Sequence, residues 1–245
     1  PSGEAARVAL EPLLTAYADW IAQQRVLDVG TARRRETQAQ LMDKAERARR
    51  RMAVGVTLLE QNPDVFQAFC LMNKAMAVAA RRRSPERYQE GNQPQWRLFQ
   101  LAFVLLNLAG IHDDDHEDRQ TIELIFFPTG GGKTEAYLGV IAFTLLLRRM
   151  RGATRPDKGL GVAVILRYTL RLLTLDQLSR AATLICALEM LRQENPEQLG
   201  PTRFTVGLWV GRTATANTLQ EVARKITEYK NSTSPKAPSP FPLTE

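Results

Sequence analysis

The chain has 245 residues, 44% of them hydrophobic, and 33 Lys and Arg against 26 Asp and Glu leave a net charge of +7 with a pI near 9.7. Such a composition excludes a globally disordered chain, and its length allows one large domain or two small ones. The basic balance favours a polyanionic partner. The longest apolar run is too short and interrupted for a membrane span, and no signal peptide is evident.

In chain order, residues 1–110 read as an all-helical N-terminal region. Leu10, Leu13, Leu14, Tyr17 and Ile21 recur at helical spacing, and Leu41, Ala45, Ala48, Met52, Val56 and Leu59 form a second, longer stripe. Asn62-Pro63 has the form of an N-cap and first helical residue, opening a helix through Phe66, Phe69, Cys70, Asn73, Met76 and Ala80. A fourth helix is expected to carry Trp96, Phe99, Phe103 and Leu106 on one side and to stop at Gly110. The acidic segment Asp113 to Asp118 follows as an exposed loop. Cys70 and Cys186 read as buried thiols in a reducing, cytoplasmic setting.

From Thr121 the pattern alternates. Ile122 to Phe127, Leu160 to Leu166 and Arg203 to Val210 are apolar runs of strand character. Between and after them come helical patterns over Lys133 to Met150, through Leu175, Leu178, Ala182, Ile185 and Leu188, and through Leu219, Val222, Ile226 and Tyr229. The expected fold is therefore α/β: a partial parallel-sheet, P-loop motor domain over 111–231, behind the helical region. A Pro-rich flexible segment over 232–245 closes the chain, and a start at Pro1 suggests a piece of a longer protein.

The most specific stretch runs from Ile122 to Thr134, ending Pro128-Thr129-Gly130-Gly131-Gly132-Lys133-Thr134, and the residues expected to bind the nucleotide run from Pro128 through Glu135. A strand, a glycine loop and a helix are the parts of a phosphate-binding loop. Glycines let the backbone N–H groups wrap around phosphate oxygens. Lys133 would set a point charge against the β- and γ-phosphates of ATP, and the Thr134 hydroxyl would ligate Mg²⁺. The general pattern has Gly where this chain has Phe127. A dinucleotide-binding reading fails, because its third glycine would fall on Glu135.

Further segments carry a resemblance. Arg97-Leu98-Phe99-Gln100 resembles the adenine-reading element of superfamily 2 helicases. The run Tyr168 to Gln177, with Thr169, Arg171 and Asp176-Gln177, resembles a motif of those helicases that touches the phosphates of one nucleic-acid strand, and Gly211-Arg212-Thr213 resembles another. Arg212 stands in place of an Asp. More narrowly, Leu71 to Met76, Trp96 to Phe103 and Phe127 to Gly139 resemble the DrmA family, the helicase-domain proteins of the bacterial DISARM phage-defence system. The likeness runs from about Pro63 to Thr218.

The resemblance implies the first RecA-like motor domain of an ATP-hydrolysing DNA helicase. Arg97 and Gln100 would face adenine, and Thr169, Arg171, Gln177, Gly211, Arg212 and Thr213 would face DNA. A companion subunit of the DISARM type, DrmB-like, would complete the assembly. The acidic Walker B pair, the arginine finger and the second motor domain are expected beyond Glu245. Two other readings stand beside this one: an ATP-gated DNA-binding or scaffold subunit that does not translocate, and an unrelated P-loop ATPase. His112 and His116 with nearby carboxylates offer a weak metal pattern. The runs Arg33-Arg34-Arg35, Arg49-Arg50-Arg51 and Arg81-Arg82-Arg83 are either solvated helix surface or grips for DNA phosphates.

Overall fold

A computed structural model describes residues 2–89, 91–126, 130–152, 159–167, 171–208 and 218–232, with the backbone alone over 171–175. The chain divides into two compact units, Pro1–Phe204 and Thr205–Glu245.

The first unit is built from helices α1 (Gly3–Arg25), α2 (Ala32–Gln61), α3 (Pro63–Arg83), α4 (Leu98–His112), α5 (Lys133–Gly152) and α6 (Arg171–Glu194), with a short α7 (Pro196–Leu199). Their starts follow from local chemistry. The side chains of Ser2, Thr31 and Asn62 accept the amides of Ala5, Arg34 and Val65, and Pro63 opens α3 where its missing N–H costs nothing. α1 packs on α2, α2 on α4, α5 against both α3 and α4, and α6 on α3. Met52, Val56 and Leu59 of α2, Met72 of α3, Leu105 and Leu108 of α4, Phe143 and Leu146 of α5, and Leu184 and Leu188 of α6 join in one buried core. Each such side chain stabilises the fold by about 1.5–3 kcal/mol relative to exposure.

The helical expectations hold with adjustments. α4 runs past Gly110 to His112, and its fully buried side is Gln100, Val104, Leu105, Leu108 and Ala109, leaving Phe103 and Leu106 partly buried. Leu41 is exposed, and Met42 beside it turns inward. Cys70 is half-buried, whereas Cys186 is exposed on α6.

The α/β expectation is overturned. Among the described residues there is no strand and no sheet, and hence no parallel-sheet RecA-like domain. Residues 121–126 and 160–167 run without regular structure, as does the described part of Arg203 to Val210. Ile122, Leu124 and Phe126 are 95%, 83% and 93% exposed, and Val162 and Ile165 are exposed at 80% and 83%. The reason is that a strand is a pairing, not a local property. β-branched and aromatic content says that a segment would suit a pleated surface, but an extended run with no neighbouring ladder stays irregular.

Where α2 crosses α4, a Cβ placed on Gly55 would overlap the carbonyl oxygen of Leu105. Gly55→Ala would by itself favour the helix by about 1 kcal/mol. The clash is with backbone rather than a flexible side chain, so we expect a net loss of about 1–3 kcal/mol. In urea unfolding this appears as a lower midpoint at unchanged slope. An unchanged midpoint would show that α2 and α4 can separate freely here.

The two histidines go to different places. His116 accepts the Asp118 amide at Nδ1, 3.1 Å away, at the start of a 3-10 turn over Glu117–Gln120. His112 ends α4 and meets Arg151 Nη2 through its own Nδ1. Among the described residues no cluster of His, Cys, Asp or Glu could hold a metal ion. Burial, then the Arg151 charge, push the His112 pKa down, against opposite pulls from Asp113 and Asp64. A lowered histidine pKa means that the unfolded chain binds more protons below 6.5, so stability is full above that value and falls as pH drops through the folded pKa. Glu46 and Glu189, both held down to about 2, lose their contribution only in more acid solution. Urea titrations of the wild type between pH 7.5 and pH 5 should therefore show a loss of stability that His112→Gln abolishes in part. An identical pH slope in the variant would assign the loss elsewhere.

In the second unit, α8 (Leu219–Asn231) is capped by Thr218, whose hydroxyl accepts the Glu221 amide. Leu219, Val222, Ile226 and Tyr229 share one side as expected, but no residue of α8 is buried.

Candidate functional site

The glycine loop leads directly into α5. Gly130 and Gly132 have φ of 80° and 87°, a conformation in which L side chains are strained. A Cβ on Gly132 would in addition lie 2.7 Å from Gln100 Nε2. Lys133 and Thr134 are the first two residues of the helix. Their position at its start sets them at the positive end of the helix dipole.

The loop is held from α4. Arg97 Nη1 donates to the Gly131 carbonyl at 2.8 Å, and Gln100 Nε2 donates to the Gly132 carbonyl at 2.7 Å. Gln100 Oε1 in turn accepts the Arg97 amide at 2.8 Å, so both ends of this buried carboxamide are engaged. A trans peptide directs its N–H opposite to its C=O, and the described chain contains no cis bond. Fixing those two carbonyls toward α4 therefore turns the amides of Gly132 and Lys133 the other way. Arg97 and Gln100 thus reach the loop, as clamps on its backbone.

Around this loop the other groups are ordered by helix packing. The Tyr137 hydroxyl donates to Gln177 Oε1 of α6 at 2.7 Å and lies 3.1 Å from Thr134 Oγ1, joining the start of α5 to α6. Trp96 Nε1 donates to Asn73 Oδ1 at 2.6 Å, tying the lead into α4 to α3. Glu135 pairs with Arg180 of α6 and lies 3.6 Å from Arg83 of α3. Tyr137, Arg83 and Arg180 were not legible as site residues, because α3, α5 and α6 carry them at separations without any fixed spacing. Arg83 was visible only as the end of an arginine run.

Of the remaining expected residues, Gln177 is described and half-buried, and Arg171 begins α6 with only its backbone described. Pro128, Thr129, Thr169, Gly211, Arg212 and Thr213 lie outside the described residues. The middle arginine run is taken up internally. Arg49 and Arg50 pair with Glu46, and Arg51 with Asp118 and Glu123.

No helix among the described residues is long and apolar enough to cross a membrane. No family model matches the chain. Over 229 residues it is 38% identical to a protein of Bacillus paralicheniformis, a match that takes in 87% of this chain. That relative is the DISARM protein DrmA, to which the chain is similar over most of its own length while spanning about a fifth of the relative's.

Proposed function

We propose that the chain binds the triphosphate of ATP at the Gly130–Thr134 loop and forms part of an ATP-driven DNA helicase or translocase in an anti-phage defence system of the DISARM type. One observation carries the nucleotide reading. The glycine loop has its Gly131 and Gly132 carbonyls drawn back by Arg97 and Gln100, which leaves the amides of Gly132 and Lys133 facing the other way at the start of α5. Such a set of amides at a helix N-terminus is complementary to an anion. Lys133 supplies the cation for the β- and γ-phosphates, and the Thr134 hydroxyl is the ligand for Mg²⁺. Bound Mg²⁺ neutralises charge on the phosphates. The clamps replace, in this helical setting, the rigid support that a strand gives such a loop elsewhere.

The DNA part rests on the likeness to DrmA and on the net charge of +7. A DrmB-like companion subunit belongs to the same proposal, as do contacts from Thr169, Arg171, Gln177, Gly211, Arg212 and Thr213 to the phosphates of one DNA strand. The test is ATP turnover by the full-length protein with and without DNA, comparing wild type with Lys133→Ala. Turnover that rises with DNA and disappears in the variant supports the reading. Turnover indifferent to DNA would leave an ATPase with another client.

A further inference from the structure

Glu135 is the third residue of α5, so its carboxylate stands beside the loop that we read as a phosphate site. Its Oε2 lies 3.5 Å from where a Cβ on Gly132 would be. A lone negative charge at that point would oppose a polyphosphate. It is not alone. Arg180 of α6 contacts Glu135 Oε1 through Nη2, and Arg83 of α3 approaches the same oxygen at 3.6 Å. Two guanidinium groups from two different helices thus converge on one carboxylate oxygen at the rim of the loop.

Arg180 is held differently from the arginine further along the same helix. Elsewhere on α6, Arg192 engages Glu189 through both Nε, at 2.8 Å, and Nη2, at 2.6 Å, the full two-pronged pairing that an arginine and a carboxylate prefer. Arg180 uses Nη2 alone. Its side chain is only 12% exposed, and its Nε is buried with no hydrogen-bond partner among the described residues. A buried donor left unused is costly, and a second acceptor oxygen would satisfy it. A phosphate group offers three such oxygens in a geometry that suits the guanidinium fork.

We infer that Glu135 is a latch that stores Arg180 and Arg83 beside the loop and surrenders them to a polyphosphate. This inference rests on the loop being a phosphate site and adds two cations from α3 and α6 to the Lys133 of the motif. When the anion arrives, Arg180 exchanges one carboxylate contact for a two-pronged phosphate contact. The identity of the base plays no part, so inorganic triphosphate is as good a probe as ATP.

The experiment is calorimetric titration of the full-length protein with Mg²⁺ present, using ATP, inorganic triphosphate and adenosine. Glu135→Gln keeps the shape of the side chain and removes its charge, so it should bind triphosphate about five- to tenfold more tightly than wild type, the scale of one charge-assisted contact. Arg180→Ala should bind it about tenfold more weakly, for the same reason. Neither change should move adenosine binding. Opposite signs are the signature, because a purely structural ion pair would weaken binding in both variants or in neither. Both variants matching wild type, or moving together, would overturn the latch while leaving the loop reading intact. If wild type takes up neither ATP nor triphosphate, the loop reading falls and the latch with it. Should Arg180→Ala fail to fold, Glu135→Gln decides alone: tighter binding supports the latch, and equal or weaker binding overturns it.

Discussion

Lys133→Ala in the full-length protein is expected to lower ATP turnover at least about a hundredfold, the scale set by removing one preorganised charge from a transferring phosphate. Lys133 opens α5 directly after Gly132, whose φ of 87° fixes the turn into the helix. The carbonyl of Gly132 accepts from Gln100, and that of Gly131 from Arg97. Neither clamp from α4 uses the lysine side chain, so both survive the substitution, and thermal unfolding of the variant is the control for the fold. That separation makes the result informative, since lost turnover with an intact fold isolates the ammonium group. Lys133→Arg should recover little, because a planar fork cannot stand in for a compact point charge in a loop wrapped around phosphate. Undiminished hydrolysis in Lys133→Ala would remove the nucleotide reading altogether.

How far the sequence reaches is seen best at particular residues. Asn62-Pro63 announces α3 because capping is decided within four residues, and the side chain does accept the Val65 amide. The glycine turn into α5, with positive φ at Gly130 and Gly132, is legible for the same reason, as its backbone needs are local. Ile122, Leu124 and Phe126 were misread because their fate depends on a neighbour far along the chain. Alternating apolar residues meet the requirement for a strand without supplying its partner, and these three side chains stand in solvent. Cys186 shows a milder form of the same limit. Its spacing within an apolar helix suggested burial, yet the face of α6 that it shares is turned outward. Glu135, Arg83 and Arg180 come from three helices, and no spacing in the sequence relates them.

Arg51 is where this limit costs most, and its replacement carries the largest expected effect on stability. In the sequence it is the last of three consecutive arginines on α2, open to a role on DNA. In the structure its side chain is 14% exposed, with Nε 2.9 Å from Asp118 Oδ2 and Nη1 2.6 Å from Glu123 Oε1, charge-to-charge approaches in which neither Nε nor Oε1 has hydrogen-bond geometry. Nη2 also donates to the Leu106 carbonyl at 3.3 Å. It therefore ties α2 to α4, to the 3-10 turn and to the extended segment beyond. Asp118 is only 5% exposed, and without Arg51 its remaining ion-pair cation, apart from His116, is Arg47, 3.3 Å away and 67% exposed. Arg51→Met keeps most of the volume but leaves two carboxylates short of their partner, a situation that costs about 3–5 kcal/mol. Arg50 offers the control on the same helix. It is 73% exposed and paired with Glu46, so Arg50→Ala should cost about 0–1 kcal/mol. Urea unfolding of both variants reads the contrast directly. The triple change Arg51→Met, Asp118→Asn and Glu123→Gln should restore most of the loss, because the penalty lies in unpaired charge rather than in missing contacts. Equal stability of Arg51→Met and Arg50→Ala would mean that water reaches these carboxylates, and Arg51 would then be free for a polyanion after all.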